Sequence, residues 1–84
     1  KLRKNSPIVI QGFGNAGLHL ARMLARAGFK IVAVSDSRGG IYNKAGLNIE
    51  GVIKTKINSG TVVNYKRAAK VSNGELLTLP AGML

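Results

Sequence analysis

Gly12, Gly14 and Gly17, with Asp36 standing 19 residues beyond the last of them, are the residues whose spacing points to chemistry. Glycine-rich turns are common, and three glycines alone specify little. They gain meaning when a strand leads into them, a helix leaves them and an acidic residue closes a second strand, because that is the layout of a dinucleotide-binding βαβ unit. The first glycine then makes the tight strand-to-helix turn. The second lets a pyrophosphate approach the backbone, and the third lets the helix pack close to the sheet. The N–H groups of the first helical turn, around Asn15 and Ala16, would point at the phosphates, where the helix dipole favours negative charge. Asp36, with Ser37 beside it, is expected at the adenosine ribose, accepting hydrogen bonds from its hydroxyls. That carboxylate argues for NAD over NADP, since it would repel a 2′-phosphate; Arg38, two residues on, offsets the argument and keeps NADP open.

The elements needed to position these residues are legible on either side. Pro7-Ile8-Val9-Ile10-Gln11 is rich in β-branched residues and stops at Gly12, which predicts a short buried strand. From Asn15 to Ala27 the pattern turns helical, with Ala16, Leu20, Met23, Leu24 and Ala27 expected on the inward face and His19, Arg22 and Arg26 opposite. Gly28 is placed to end that helix. Lys30 to Ser35 is continuously apolar in its middle, as a parallel strand covered on both faces should be. The stretch from Ser37 to Gly46 reads as a loop with a short extended piece at Ile41-Tyr42. Asn48 caps a second helix that ends near Gly60. Thr61 to Tyr65 reads as a weak extended segment, and Ser72 to Glu75 has capping-box spacing ahead of a short helical turn.

Most other candidates have bland readings. His19 shares its helix face with arginines and has no second ligand nearby, so it is expected at the surface. Phe13 either edges the cofactor site or packs. Tyr42 and Tyr65 are expected to pack. Glu50 and Glu75 are the remaining carboxylates, and they form no acid–base pair.

Composition removes whole classes of function. The 84 residues include no cysteine and one histidine. This leaves no disulfide framework, thiolate metal site, cysteine nucleophile or histidine-cluster zinc site. No apolar run approaches the ~20 residues of a membrane span, and no secretory signal is expected. The formal charge is +10, which attracts anions. The basic residues are spread along the chain and aromatics are few, so nucleic acid is not the favoured partner.

The run from Ile8 to Gly17, then Lys30 to Asn43 with its Val-Ser-Asp-Ser-x-Gly-Gly-Ile-Tyr core, then Gly46-Leu47 and Ser72 to Leu77, resembles the coenzyme domain of the glutamate/leucine/phenylalanine/valine dehydrogenases. Glutamate dehydrogenase is the member it most resembles. The resemblance spans about residues 6 to 78. It implies oxidative deamination of amino acids with NAD or NADP, in an enzyme that is usually oligomeric. It puts Gly12, Phe13, Gly14, Asn15 and Ala16 around the pyrophosphate and Asp36 at the ribose. The family's catalytic lysine and aspartate belong to a substrate domain that would precede Lys1, so no catalytic residue is assigned. Leu79 runs straight into Pro80-Ala81-Gly82 where the family continues with an acidic, apolar strand. The sequence therefore reads as a cut, reassembled or engineered half-domain, a piece of something longer.

The expectation is an α/β chain, a Rossmann-like βαβ half-domain over residues 1–84 with a second helix and short trailing elements. It would bind the ADP part of a nicotinamide dinucleotide in the cytoplasm, with the mitochondrial matrix or plastid left open, without turnover of its own. Two rivals stand beside it: a self-assembling structural fragment and a polyanion binder. With two strong strands counted, and Leu76, Leu77, Leu79, Met83 and Leu84 having no evident site to cover, a homo-oligomer is expected.

Overall fold

The computed structural model describes residues 6–76 and the backbone of 82–83. Its first strand, β1 (Pro7–Ile10), leads through the glycine turn into helix α1 (Asn15–Arg26) and returns as β2 (Lys30–Asp36). β1 and β2 pair in parallel, as the sequence requires of a βαβ unit. Gly28 follows the end of α1 at φ 91°, a left-handed position that suits glycine.

Beyond Asp36 the chain is more regular than expected. A two-residue turn, Ser37-Arg38, leads into β3 (Gly39–Tyr42), antiparallel to β2. After helix α2 (Ile49–Ser59) and a 3-10 turn (Val62–Asn64), β4 (Ala69–Val71) adds antiparallel to β3, and α3 (Asn73–Leu76) follows. The backbone of β5 (Gly82–Met83) pairs in parallel with β1 on its other side. The result is a five-stranded sheet in the order β4-β3-β2-β1-β5. The expectation of two strong strands is thus corrected. Gly39 and Gly40 hid β3 by composition, yet the sheet needs them. Gly39 adopts φ 138°, and a Cβ on Gly40 would lie 3.0 Å from the Val34 carbonyl oxygen.

Thr61 to Tyr65 is also corrected: it forms the 3-10 turn, not a strand. The Thr61 hydroxyl accepts from the Val63 N–H, and the Val62 N–H is taken by the Asp36 carboxylate, so neither is free to join a ladder. The two capping predictions match the structure. The Asn48 side chain accepts from the Gly51 N–H. Ser72 and Glu75 exchange both bonds of a capping box, at 2.9 and 3.0 Å.

The larger core cluster joins Ile8 and Ile10 of β1, Ile31 and Val34 of β2 and Ile41 of β3 to Phe13, to Ala21 of α1, to Ile49, Val52 and Ile53 of α2 and to Val62. A smaller cluster holds Val9, Val32, Ala33 and Leu76, with Tyr42 and Val71 packed against it. β2 changes register against β1: Ile8 pairs with Ile31 but Val9 with Ala33, leaving Val32 as an extra residue. Val32 and Ala33 consequently share a cluster, whereas strict alternation would separate them.

Helix α1 is rotated from the expected face. Ala21 is buried, and Leu18, Leu24 and Ala25 pack against the core, while Met23 is 64% exposed and Ala16 and Ala27 lie at the surface. The sequence pattern favours the larger apolar side chains, but the sheet is approached so closely that Gly17 and Ala21 must face it. Arg22, expected to be solvated, instead reaches Glu50 of α2 at 3.2 Å. His19 is exposed, and Tyr65 packs against the larger cluster.

Candidate functional site

The glycine turn is built from opposite demands at its three positions. Gly12 has φ 76°, left-handed backbone that disfavours side chains. A Cβ on Gly17 would stand 2.5 Å from the Gly12 carbonyl oxygen, so the helix can lie this close only with glycine there. A Cβ on Gly14 would meet nothing within 4 Å, so the absence of a side chain leaves open space in front of the backbone. Gly14 is also the N-cap of α1; it provides no side-chain cap, and the first turn carries no acidic residue. This end of α1 therefore keeps the partial positive charge of a helix N-terminus.

The turn is fastened to β2. The Phe13 N–H donates to the Ser35 carbonyl at 2.6 Å, and the Phe13 ring is fully buried in the larger cluster. Of its two sequence readings, packing is the one the side chain adopts. Gly12, Gly14, Asn15, Ala16 and Ser37 are exposed, and Gly17 is half-buried. A cleft of about 360 Å³ opens over this region, lined by Gly12, Phe13, Gly14, Asp36, Ser37 and Lys56. The structure thus gathers the glycine turn and the end of β2 around one opening.

Asp36 is more occupied than the sequence implied. One carboxylate oxygen accepts from the Arg38 N–H at 2.9 Å and from the Thr61 hydroxyl at 3.2 Å. The other accepts from the Val62 N–H at 2.8 Å and from the Lys56 ammonium at 3.0 Å. Burial alone pushes the Asp36 carboxyl up. The N–H groups of Val62 and Arg38, with Lys56 and Thr61, outweigh it and hold the group below the ordinary carboxylate range.

Lys56 and Thr61 were not singled out from the sequence. Lys56 is one of 13 scattered basic residues, and its place at the cleft depends on how α2 docks, which local pattern does not encode. Arg38, which was singled out, contributes its backbone N–H here. Among the described residues there is no group of three or more His, Cys, Asp or Glu able to hold a metal ion. No described helix is long and apolar enough to cross a membrane.

The sequence profile of the glutamate/leucine/phenylalanine/valine dehydrogenases matches residues 1–84. The chain belongs to this family. A glutamate dehydrogenase from Aeropyrum pernix is 51% identical over 77 residues, which is 92% of this chain and 18% of that protein. One from Thermotoga maritima is 45% identical over 82 residues, covering 96% of this chain and 20% of the relative. A relative from Synechocystis named as an NADP-specific glutamate dehydrogenase is 39% identical over 90 residues, covering 96% and 21%. Among solved structures, the leucine-bound hetero-hexameric glutamate dehydrogenase from Thermus thermophilus superposes with a TM-score of 0.80 at 29% identity, over 93% of this chain and 18% of that one. This family member therefore spans about a fifth of the length of the relatives it matches. A homoserine dehydrogenase from Thermoplasma acidophilum shares the fold, with a TM-score of 0.65 at 29% identity over 93% of this chain and 25% of that one. The fold class is the expected one: α/β, of the Rossmann type found in dehydrogenases.

Proposed function

We propose that the chain is the segment of an amino-acid dehydrogenase that holds the ADP half of a nicotinamide dinucleotide. The observation that carries this reading is the pairing of a closed position with an open one in the same turn. Gly17 is packed against Gly12, while Gly14 faces empty space at an uncapped helix N-terminus. A turn needed for folding alone has no reason to keep the second position clear. The turn from Gly12 to Gly17 would receive the pyrophosphate through the first-turn N–H groups of α1, since the N–H groups of Phe13 and Gly14 are bonded to the Ser35 and Gly12 carbonyls, and Asp36 and Ser37 would lie toward the ribose. Such a group would fit the uncapped first turn of α1 and the open space before Gly14.

NAD is the proposed cofactor, with NADP also accommodated. The Asp36 charge that would repel a 2′-phosphate is offset by Lys56 at 3.0 Å, and some relatives are named as NADP-specific. In a complete enzyme this site would hold the dinucleotide while other residues position an amino acid for hydride transfer. The chain alone is expected to bind without turnover, because positioning of both reactants supplies a large share of the rate. Assembly into an oligomer is proposed from the relatives, one of which is named as hetero-hexameric, since the exposed two-strand sheet that first argued for it is not there.

Calorimetry with NAD and ADP-ribose tests the reading. Gly14 has φ −91°, which any residue adopts, so Gly14→Val should fold and lose binding. Equal binding by wild type and variant would remove the glycine turn from the site, and binding that ignored Gly14 but fell steeply with salt would favour a polyanion binder.

A further inference from the structure

We infer that Asp36 is a positioning residue, which acts on the cofactor through Lys56 and does not itself bond the ribose. The inference rests on the functional reading above. An ionised carboxylate offers about four lone-pair directions. In Asp36 each oxygen already has two donors, drawn from the Ser37-Arg38 turn, the C-terminal part of α2 and the 3-10 turn. A ribose hydroxyl would have to displace one of them. The Thr61 and Val62 donors are buried, and a buried donor left without a partner costs more than a new hydrogen bond returns.

Exposure divides the pair in the same sense. The Asp36 side chain is 5% exposed and that of Lys56 24%, so of the two that line the cleft the cation is the more accessible. The lysine chain is flexible and loses rotamer freedom when fixed; a buried carboxylate 3.0 Å from its ammonium holds it at the rim beforehand. The backbone carbonyl of Asp36 is engaged as well, accepting from the Asn73 side chain of α3 at 3.5 Å. The residue thereby ties β2, α2, the 3-10 turn and α3 behind the opening, and leaves a cation at the rim of the cleft, where an anionic cofactor would meet it.

The test is a binding cycle by calorimetry, using NAD and its analogue lacking the adenosine 2′-hydroxyl, on wild type, Asp36→Asn and Lys56→Met. A positioning role predicts that Asp36→Asn weakens both ligands several-fold by the same factor. It also predicts that Lys56→Met weakens NAD several-fold. A ribose acceptor instead predicts that the wild-type preference for NAD over the deoxy analogue vanishes in Asp36→Asn, and that result would overturn the inference. Unchanged or tighter NAD binding by Lys56→Met would overturn it too, since that variant frees a carboxylate oxygen. Lys56→Met keeps both backbone donors on Asp36 and so reports even where Asp36→Asn fails to fold. Failure of the wild type to bind NAD would overturn the functional reading, and this role with it, and is recognised without any variant.

Discussion

Gly17 and Gly12 lie so close that a methyl group on the first would stand 2.5 Å from the carbonyl oxygen of the second. The obstacle is backbone, which cannot rotate aside as a side chain would. Overpacking typically costs about 1–3 kcal/mol, and Gly17→Ala is expected in the upper part of that range. Urea denaturation should show a lower midpoint with an unchanged slope. Stability within about 0.5 kcal/mol of wild type, the usual span for surface substitutions, would mean that α1 sits farther from the turn.

Acid should destabilise the fold through Asp36. Its carboxyl is held below the ordinary range when folded, so the unfolded chain binds the proton more readily. The stabilisation is therefore complete above the unfolded value of about 3.9 and disappears as pH falls through the folded one. Glu75, exposed and held low by the Ser72 N–H and hydroxyl, adds in the same direction. Only three acidic residues exist in the chain, which makes the assignment tractable by carboxyl-resolved NMR. Lys56→Met removes one of the causes that lower Asp36 and should move both its titration and the acid transition to higher pH. An unmoved Asp36 titration would show that the pair does not form in solution.

Leu76 is fully buried against Val9, Val32 and Ala33. The sequence groups it with an apolar tail that lacks a site to cover; the structure gives it a place within one copy, while Leu77, Leu79 and Leu84 lie outside the described residues. Leu76→Ala should cost about 2–5 kcal/mol, as for other buried leucines. A thermal melt shifted by a degree or less would return Leu76 to the surface.

The Arg22–Glu50 pair joins α1 to α2, but its side chains are 33% and 60% exposed. Exposed pairs contribute about 0.2–1 kcal/mol and are screened by salt. A double-mutant cycle with Arg22→Ala and Glu50→Ala should give a coupling in that range at low salt and near zero at about 1 M, where the Debye length is about 3 Å. A coupling that survives high salt would point to a buried geometry.

What the sequence made legible follows from how local each signal is. The strand, glycine turn, helix and second strand form one contiguous run, and Asn48, Ser72 and Glu75 announce themselves through bonds spanning three residues. The inward face of α1 was misread because hydrophobicity pointed to Met23, while close approach to the sheet selected Gly17 and Ala21. β3 was underread because its two glycines serve a close strand contact and look like a loop. Lys56 was missed because it meets Asp36 across 20 residues through the docking of a helix. Asp36 itself was found, but the number of donors already on it was not visible from its position.

The extra residue at Val32 has a bearing on what mutation can do to this strand. Val34 and Asp36 lie two apart and so share a side of β2, the side on which Val34 joins the larger cluster and Asp36 meets Lys56 of α2. Without Val32, every residue that follows would exchange sides, and Asp36 would turn away from α2 toward the face covered by Leu76. The odd residue thus works as a parity setting for the last half of the strand. Apolar exchange at Val32 leaves that setting intact, whereas deletion inverts it. Here the count of residues matters more than their chemistry.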